Sequence, residues 1–263
     1  MSRWKAILKN VGPRFAAIGG LVAVWWLVSR SGFFDRTILP SPATVWRALV
    51  HNFSGDDGIA VAAEKSLLRL AIGLGLAIVV GTSIGVAMAA SETVRRSVGA
   101  LMTGLQALPS ISWLPLAILW FGLTERAILF VVIIAAIPAV ALATTGSVRL
   151  VPPLLVRAGR TLGARGWRLY REVVVPAAIP GYVAGLTQSW AFAWRALMAG
   201  ELIATGARGL GHLQDVARQQ FDAPKVMAVM VMIVAIGMAV DFVLGTLDRR
   251  VRARRGLLTE MPS

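Results

Sequence analysis

The stretch from Val148 to Pro180 reads VRLVPPLLVRAGRTLGARGWRLYREVVVPAAIP and separates two long apolar segments of the chain. Basic residues in a connection of this length hold it on the cytoplasmic side of a membrane. Gly163 divides the stretch, so we expect two short helices whose exposed apolar residues suit a groove in a partner protein. The arginines are Arg149, Arg157, Arg160, Arg165, Arg168 and Arg171, and the apolar residues are Leu154, Leu155, Leu162, Trp167, Leu169 and Tyr170.

The composition of the whole chain is that of a membrane protein. Of its 263 residues 57% are hydrophobic, and the mean hydropathy is +0.71. Apolar runs of about 20 residues are long enough to cross a bilayer. The net charge of +14 is compatible with a nucleic-acid partner, but the basic residues flank apolar runs, so we exclude that class. The chain has no cysteine and therefore no disulfide or thiolate metal site.

We predict an all-α, polytopic integral membrane protein that forms a single domain over residues 1–263. Each of about six apolar runs is interpreted as one transmembrane helix. The predicted spans are Arg14–Ser29, Leu67–Ala90, Val98–Phe121, Ala127–Ser147, Ala177–Gly200 and Val226–Leu247.

The distribution of basic residues predicts the orientation of these spans. Seventeen of the 27 lysines and arginines lie in the two terminal tails, the second-to-third connection and the stretch around Gly163. These segments share one side of the membrane, which the excess of positive charge assigns to the cytoplasm. Both termini are therefore predicted to be cytoplasmic, in a plasma (inner) membrane.

The first span is interpreted as an uncleaved anchor. Trp25 and Trp26 lie near its end, and Ser29-Arg30-Ser31 offers no small-residue cleavage site for a signal peptidase. A long external connection, Gly32–Lys65, follows. Within it, Leu39–Leu49 is predicted to form an amphipathic helix in the membrane interface.

Small residues recur every fourth position in the second span, at Ala77, Gly81, Gly85 and Ala89. Such a stripe allows another helix to approach closely in lipid. The segment Gly81–Gly85, GTSIG, also matches the G-x-S-x-G pattern of hydrolases, which requires a strand-to-helix turn and a histidine partner. Because this segment lies in a continuous apolar run, we predict a packing role.

The third predicted span contains ALPSISWLPLAILWFG, from Ala107 to Gly122. Pro109 and Pro115 each remove a backbone hydrogen bond, so we expect both to kink the helix. Irregular backbone at membrane depth is tolerated where it packs in protein or lines a cavity. The span is therefore either a kinked packing helix or a wall of a pathway, with polar or aromatic groups from Gln106, Ser110, Ser112 and Trp113.

The fifth predicted span ends in ionisable residues. Arg195 is the candidate for contact with an anion, because intramembrane charges mark substrate pathways. Alternatively it extends toward the outer interface or pairs with Glu201. Asp241, in the sixth span, is expected to pair with a cytoplasmic arginine. The candidate pathway residues of the fifth helix are Gln188, Trp194, Arg195 and Glu201.

Several sequence patterns of enzymes and metalloproteins are absent. No glycine precedes any of the four lysines, which excludes a G-x-x-x-x-G-K-[ST] phosphate loop in this chain. There is no H-E-x-x-H motif and no histidine cluster for a metal. We therefore expect no catalytic residue, no metal and no cofactor bound by this chain.

The spacing around Gly163 resembles the EAA loop of ABC-transporter permeases of the binding-protein-dependent type. That family's pattern is E-A-A, three residues, G, nine residues and I-x-L-P. Arg157 stands at the glutamate position and reverses its charge, and Gly163 stands at the glycine position. The other matching residues are Ala158 and Gly159 in E-A-A, and Val173, Val175 and Pro176 in I-x-L-P.

Two further segments are similar to the sulfonate, nitrate and taurine permeases of this family. They are the P-x-x-x-W-x-P run from Pro109 to Pro115, and the segment from Trp194 to Glu201 followed by Gly209-Leu-Gly211. The resemblance implies a permease homodimer, a cytoplasmic ABC ATPase dimer that binds ATP-Mg, and an extracytoplasmic substrate-binding protein. It also implies a small solute such as a sulfonate.

The resemblance implies that residues 148–176 form a cytoplasmic coupling loop, which moves with the ATPase as the spans open to alternate sides. The implied coupling residues are Leu155, Arg157, Ala158, Gly159, Arg160, Leu162, Gly163, Trp167 and Tyr170. The alternative function is an ion-gradient-driven secondary transporter or channel, which predicts acidic relays in mid-span or inverted repeats. A membrane scaffold without transport is the third possibility.

Overall fold

The computed structural model of the chain describes residues 3–35, 37–203 and 208–255. Throughout these residues the secondary structure is helical and no strand occurs, so the predicted all-α class is confirmed. The helices are α1 (Arg3–Arg30), α2 (Pro42–His51), α3 (Ile59–Ala90), α4 (Glu92–Ala107), α5 (Leu114–Phe121), α6 (Glu125–Arg149), α7 (Pro153–Thr161), α8 (Gly166–Leu169), α9 (Val175–Ile203), α10 (Leu210–Gln219) and α11 (Ala223–Ala253), with a 3-10 turn at Ser110–Trp113 and a π-helical turn at Tyr170–Val174.

The six predicted spans all fall on helices of the structure. Among the described residues, α3, α6 and α11 are long and apolar enough to cross a membrane, and α4 with the Ser110–Phe121 segment forms a fourth, bent candidate. The first and fifth predicted spans fall within α1 and α9. The total of six spans is compatible with this arrangement and stays a prediction.

The third span is broken rather than kinked. The helical axis turns by 99° between α4 and the Ser110–Phe121 segment. Leu108 and Pro109 adopt extended backbone at the break, as expected for a proline and the residue before it. The prediction that Pro115 kinks a helix is wrong, because Pro115 lies in the first turn of α5, where no backbone hydrogen bond is lost.

The chain divides into two compact units. One comprises Met1–Ala62 and Leu213–Ile233, and the other comprises Ala63–His212 and Val234–Ser263. The second unit contains α4 to α9 and therefore carries the sites described below.

Helix α6 lies at the centre of the second unit, and glycines allow its neighbours to approach it. A Cβ on Gly85 of α3 would lie 2.5 Å from the Cβ of Thr144, so only glycine fits there. The hydroxyl of Thr145 donates a 3.0 Å hydrogen bond to the Gly85 carbonyl across the same contact. On α9, a Cβ on Gly185 would lie 2.3 Å from the Cβ of Ala143 in α6. The packing role predicted for the small residues of α3 is confirmed for this contact.

The GTSIG segment is part of continuous helix α3. The Ser83 hydroxyl donates to the carbonyl of Val79, one turn earlier in the same helix. This helical setting confirms the packing interpretation of the hydrolase-like pattern, which requires a strand-to-helix turn.

In the first unit, α2 (Pro42–His51) confirms a helix where Leu39–Leu49 was predicted to form one, and its location in the membrane interface stays a prediction. The side chain of Ser41 accepts a hydrogen bond from the Thr44 backbone and caps the helix, and Pro42 occupies the first turn. Val45 is buried, whereas Trp46 is exposed. The connection between the first two predicted spans is shorter than predicted, because α3 already begins at Ile59 and includes Lys65.

Candidate functional site

The stretch around Gly163 folds into two short helices, as predicted. Helix α7 ends at Thr161 and α8 begins at Gly166. Gly163 has φ +89°, a backbone conformation that side chains with a Cβ resist. A Cβ at this position would meet no other atom within 4 Å, so the backbone conformation alone accounts for the glycine.

Most of the predicted coupling residues face outward. Leu162 and Trp167 are 88% and 77% exposed, which is unusual for large apolar side chains unless a partner or lipid covers them. The structure describes no ion pair for Arg157, the residue at the family's glutamate position. The exposed coupling residues are Leu155, Arg157, Ala158, Arg160, Leu162, Gly163, Trp167 and Tyr170.

Gly159 and Leu169 face the interior of the loop, although Gly159 was predicted to be a coupling residue and Leu169 to lie on an exposed apolar ridge. Both are buried, and the Cδ1 atom of Leu169 would lie 3.1 Å from a Cβ on Gly159. The Cγ2 atom of Val173 would lie closer still to that Cβ, at 2.9 Å. Gly159 therefore allows α7 to pack on the helical segment that follows it, and it presents no side chain to a partner.

A π-helical turn, Tyr170–Val174, joins α8 to α9. Pro176 lacks the N–H that would bond the carbonyl of Glu172 in an α-helix, so the backbone there can widen. The carbonyl of Pro176 accepts a hydrogen bond from the guanidinium of Arg255 in the C-terminal tail. Helix α8, the π-helical turn and α9 therefore form one uninterrupted helical segment.

A cavity of about 270 Å³ lies at the break in the third span. It brings together four of the residues predicted to form a pathway, although Arg195 is far from the other three in sequence. Ala135 of α6 and Phe192 of α9 complete the wall opposite the break. The four predicted residues in the lining are Gln106, Ser110, Trp113 and Arg195.

The guanidinium of Arg195 has no carboxylate partner within the described residues. Its Nε donates a 3.0 Å hydrogen bond to the carbonyl of Ala191, one turn earlier in α9. Its central carbon lies 4.9 Å from the ring centroid of Phe192. Arginine has five N–H donors, so this geometry leaves donors for an anion in the cavity.

Glu201 forms a buried ion pair with Arg69 of α3, so the predicted pairing with Arg195 is wrong. The carboxylate is fully buried and accepts a 2.7 Å hydrogen bond from the Ser66 hydroxyl and a 3.1 Å bond from the Gly211 backbone. A Cβ on Gly209 would lie 2.4 Å from the carboxylate carbon. The structure thus places Glu201 outside the lining of the cavity.

The other predicted pathway residues of α9 also lie outside the cavity lining. Gln188 is exposed, and Trp194 is buried against Trp190 with ring centroids 5.3 Å apart. The Nε1 of Trp190 donates a 2.9 Å hydrogen bond to Asp241 of α11. Asp241 therefore has an indole partner, and the prediction that it pairs with a cytoplasmic arginine is wrong.

The sequence profile described as "binding-protein-dependent transport system inner membrane component" matches residues 75–253. The chain belongs to this family of ABC-transporter permeases. It is 30% identical to MJ0413 of Methanocaldococcus jannaschii, which is named as an ABC transporter permease, over 86% of this chain and 85% of the relative.

Two relatives of the permease carry substrate names. The taurine transport system permease protein TauC of Escherichia coli is 29% identical over 97% of this chain and 93% of its own length. The bicarbonate transport system permease protein CmpB of Synechococcus elongatus is 26% identical over 95% of this chain and 92% of its own length.

Solved structures show the same fold. The MetNI methionine ABC transporter in an inward-facing conformation matches with a TM-score of 0.63 at 22% identity, over 80% of this chain and 99% of the other. An amino acid ABC transporter crystallised with histidines matches with a TM-score of 0.60 at 16% identity, over 74% of this chain and 93% of the other.

The sequence interpretation missed three groups that organise the permease. Arg69 forms the buried pair with Glu201, Ser66 also donates to Glu201, and Glu125 accepts from Arg69. A signal was present, because Arg69 is a charged residue inside the predicted span Leu67–Ala90, and such residues are generally paired. Across the described residues, no group of three or more His, Cys, Asp or Glu side chains is arranged to hold a metal.

Proposed function

We propose that this permease forms the translocation path of an ABC importer for a small anionic solute with a sulfonate-like acid group. The observation that carries the proposal is the guanidinium of Arg195, which lines the cavity at the broken span and has no carboxylate partner in the part of the chain that the structure describes. An anion leaving water needs charge-assisted hydrogen bonds, and a planar guanidinium provides two parallel donors for an oxyanion.

The other lining groups suit a small acid. The hydroxyl of Ser110 and the amide of Gln106 can donate further hydrogen bonds, whereas Trp113 and Phe192 provide apolar walls. The names of the relatives support the same chemical class, because taurine carries a sulfonate group and bicarbonate is an anion.

The loop between α6 and α9 is proposed to dock on a separate cytoplasmic ATPase that binds ATP-Mg. Its exposed apolar residues, including Leu162 and Trp167, would fill a groove of that partner. Because α8, the π-helical turn and α9 form one helical segment, movement of the docked loop would be transmitted to the helix that carries Arg195.

The working unit is proposed to contain two copies of the permease, two ATPase subunits and an external substrate-binding protein, with both termini of each permease in the cytoplasm. Binding of ATP would close the ATPase dimer and change the side to which the central path opens. Net import requires that the solute bind the two states with different affinity.

Reconstituted transport tests this function. The permease is placed in proteoliposomes with its ATPase and binding protein, and uptake of a radiolabelled alkyl sulfonate is measured with ATP. We expect that uptake stops when a non-hydrolysable analogue replaces ATP. We also expect that other small organic anions inhibit uptake by competition. Uptake driven by an ion gradient without ATP would support the secondary transporter instead. Competition by cations and neutral analogues as strong as that by anions would contradict the anionic substrate.

A further inference from the structure

A second polar cavity lies away from the broken-span cavity, between the ends of α3, α4 and α6. Its volume is about 380 Å³. Three arginines line it, and its remaining lining is small, apolar or hydroxyl-bearing. We call it the basic pit, and its lining residues are Met88, Arg95, Arg96, Gly99, Ala100, Thr103, Leu142, Thr145, Gly146 and Arg149.

The basic pit has an excess of positive charge. Within the described residues, Glu92 is the one carboxylate that bonds to its arginines, and it is shared by Arg95, Arg96 and Arg149. Arg96 uses only Nε in this contact, at 3.0 Å, and Arg149 uses only Nη1, at 3.4 Å. Three guanidinium charges against one carboxylate leave two positive charges and several N–H donors for a further anion.

The basic pit lies at the ends of candidate membrane spans, where lipid headgroups are expected. Arg149 is the last residue of candidate span α6, and Glu92 is the first residue of α4, next to the end of candidate span α3. Residues at the ends of spans meet the phosphates of the bilayer, and basic pockets between transmembrane helices hold anionic lipid headgroups.

The interior of the basic pit has room for an acyl chain beside the charged rim. Ala100 and Leu142 provide apolar surface, and Met88 is buried beneath it. A Cβ on Gly146 would meet no atom within 4 Å, so this part of the wall is open. A soluble anion would use only the rim, whereas a phospholipid would use both parts.

We propose that the basic pit binds an anionic phospholipid. The headgroup phosphate would accept hydrogen bonds from Arg96 and Arg149, and the start of one acyl chain would lie along Ala100 and Leu142. The lipid would thereby connect the amino-terminal turn of α4 to the carboxy-terminal turn of α6. This inference concerns a site separate from the translocation path.

Native mass spectrometry of the full-length permease, purified in a neutral detergent, tests the proposal. Phosphatidylglycerol and phosphatidylcholine with identical acyl chains are titrated separately. We expect phosphatidylglycerol to bind more tightly than phosphatidylcholine. Arg96→Gln and Arg149→Gln should each weaken phosphatidylglycerol binding about 5-fold, because a basic residue near a membrane surface contributes roughly that factor to the affinity for anionic lipid. Binding of phosphatidylcholine should not change.

A pair of glycine variants tests the acyl-chain part of the site. Gly146→Leu should fill the wall of the basic pit and weaken phosphatidylglycerol binding, while all three arginines remain. Gly75→Leu in α3 is the matched control, because a Cβ there also meets no atom within 4 Å and Gly75 does not line the pit. It should bind phosphatidylglycerol like the unchanged protein.

Three results would overturn the proposal. Equal affinity for the two lipids would remove the role of the arginines. Displacement of phosphatidylglycerol by millimolar glycerol 3-phosphate would show a site for soluble anions. A shift from dimer to monomer in Arg96→Gln and Arg149→Gln, without a change in lipid binding, would show that a second copy of the chain covers the pit.

Discussion

Arg69 and Glu201 form a buried ion pair although 132 residues separate them in the chain. The exposed fraction of the side chain is 4% for Arg69 and zero for Glu201. Arg69 also bonds to the exposed carboxylate of Glu125 at 2.9 Å and to the carbonyl of Arg208 at 3.1 Å. One guanidinium thus joins α3, α6, α9 and the turn before α10.

Removal of Arg69 should destabilise the permease strongly. In Arg69→Met the carboxylate of Glu201 would remain buried without its cation, and breaking a buried pair from one side costs about 3–5 kcal/mol. We expect a clear fall in the thermal unfolding midpoint in detergent. The double variant Arg69→Met with Glu201→Gln should recover most of the loss, because a neutral amide needs no cation there.

Glu125→Gln is the control for this pair, since it removes the other carboxylate on the same arginine. The Glu125 side chain is 64% exposed, so its ion pair should contribute only about 0–1 kcal/mol. An equal loss of stability in Glu125→Gln and Arg69→Met would contradict the assignment of Glu201 as the main partner.

The contact between α3 and α6 should be intolerant of a single added methyl group. In Gly85→Ala the new Cβ would lie 2.6 Å from the carbonyl oxygen of Ala141, so backbone must move, at a cost of about 1–3 kcal/mol. Gly75→Ala adds the same atom to the same helix in open space and should be neutral or stabilising by up to about 1 kcal/mol. Matching unfolding midpoints for the two variants would refute the close approach.

The turn at Gly163 should be required for docking of the ATPase. Gly163→Val forces a β-branched residue into a left-handed conformation, at a cost of about 1–2 kcal/mol, although its Cβ would meet no atom within 4 Å. We expect less ATPase to co-purify, at an unchanged level of permease in the membrane. Thr161→Val at the end of α7 is the control. Normal co-purification with Gly163→Val would count against a docking role for this turn.

Arg195 should determine the affinity for the transported anion. A hydrogen bond to a charged group contributes about 1.5–3 kcal/mol, so Arg195→Gln should raise the apparent KM for uptake about 10- to 150-fold. Arg195→Lys keeps the charge but loses the planar arrangement of donors, so its KM should lie between those of the unchanged protein and Arg195→Gln. Arg47→Gln is the control, since Arg47 also donates Nε to a carbonyl one turn earlier. Unchanged KM in Arg195→Gln would assign Arg195 a structural role.

Reporter fusions test the orientation on which the docking of the loop depends. Fusions after Gly55 and Gly209 should report an external position, because the connections that contain them are poorer in basic residues for their length. Fusions after Arg96, Gly166 and Arg255 should report a cytoplasmic position. A cytoplasmic signal at Gly55 would reverse the scheme and place the loop around Gly163 beyond the reach of a cytoplasmic ATPase.

Local features of the sequence predicted a large part of the fold. Apolar runs located the long helices, because a helix needs about 20 such residues to cross a bilayer. The glycine at position 163 predicted the turn between two short helices, and the amphipathic pattern of Leu39–Leu49 predicted the helix that the structure shows at Pro42–His51. In each of these cases the backbone conformation depends on residues only a few positions apart.

The candidate site was predicted in part. Gln106, Ser110 and Trp113 were identified together because they flank one proline, but the 99° break that opens their cavity was not. Pro115 was expected to kink a helix, and its position in a first turn depends on where α5 begins. The sequence prediction treated Val98–Phe121 as one helix and so placed no helix start at Leu114, where Leu114 and Ala117 pack in the core.

The sequence by itself determined that this protein is a helical membrane protein with a basic, glycine-divided loop, because hydropathy, charge and glycine act over short distances. Only the tertiary structure decided that Glu201 pairs with Arg69, that Arg195 has no carboxylate partner among the described residues, and that Gly159 faces inward. These contacts depend on the rotation of each helix about its axis. That rotation is fixed by close packing between different helices, whose contacting residues lie beyond the reach of a local sequence pattern.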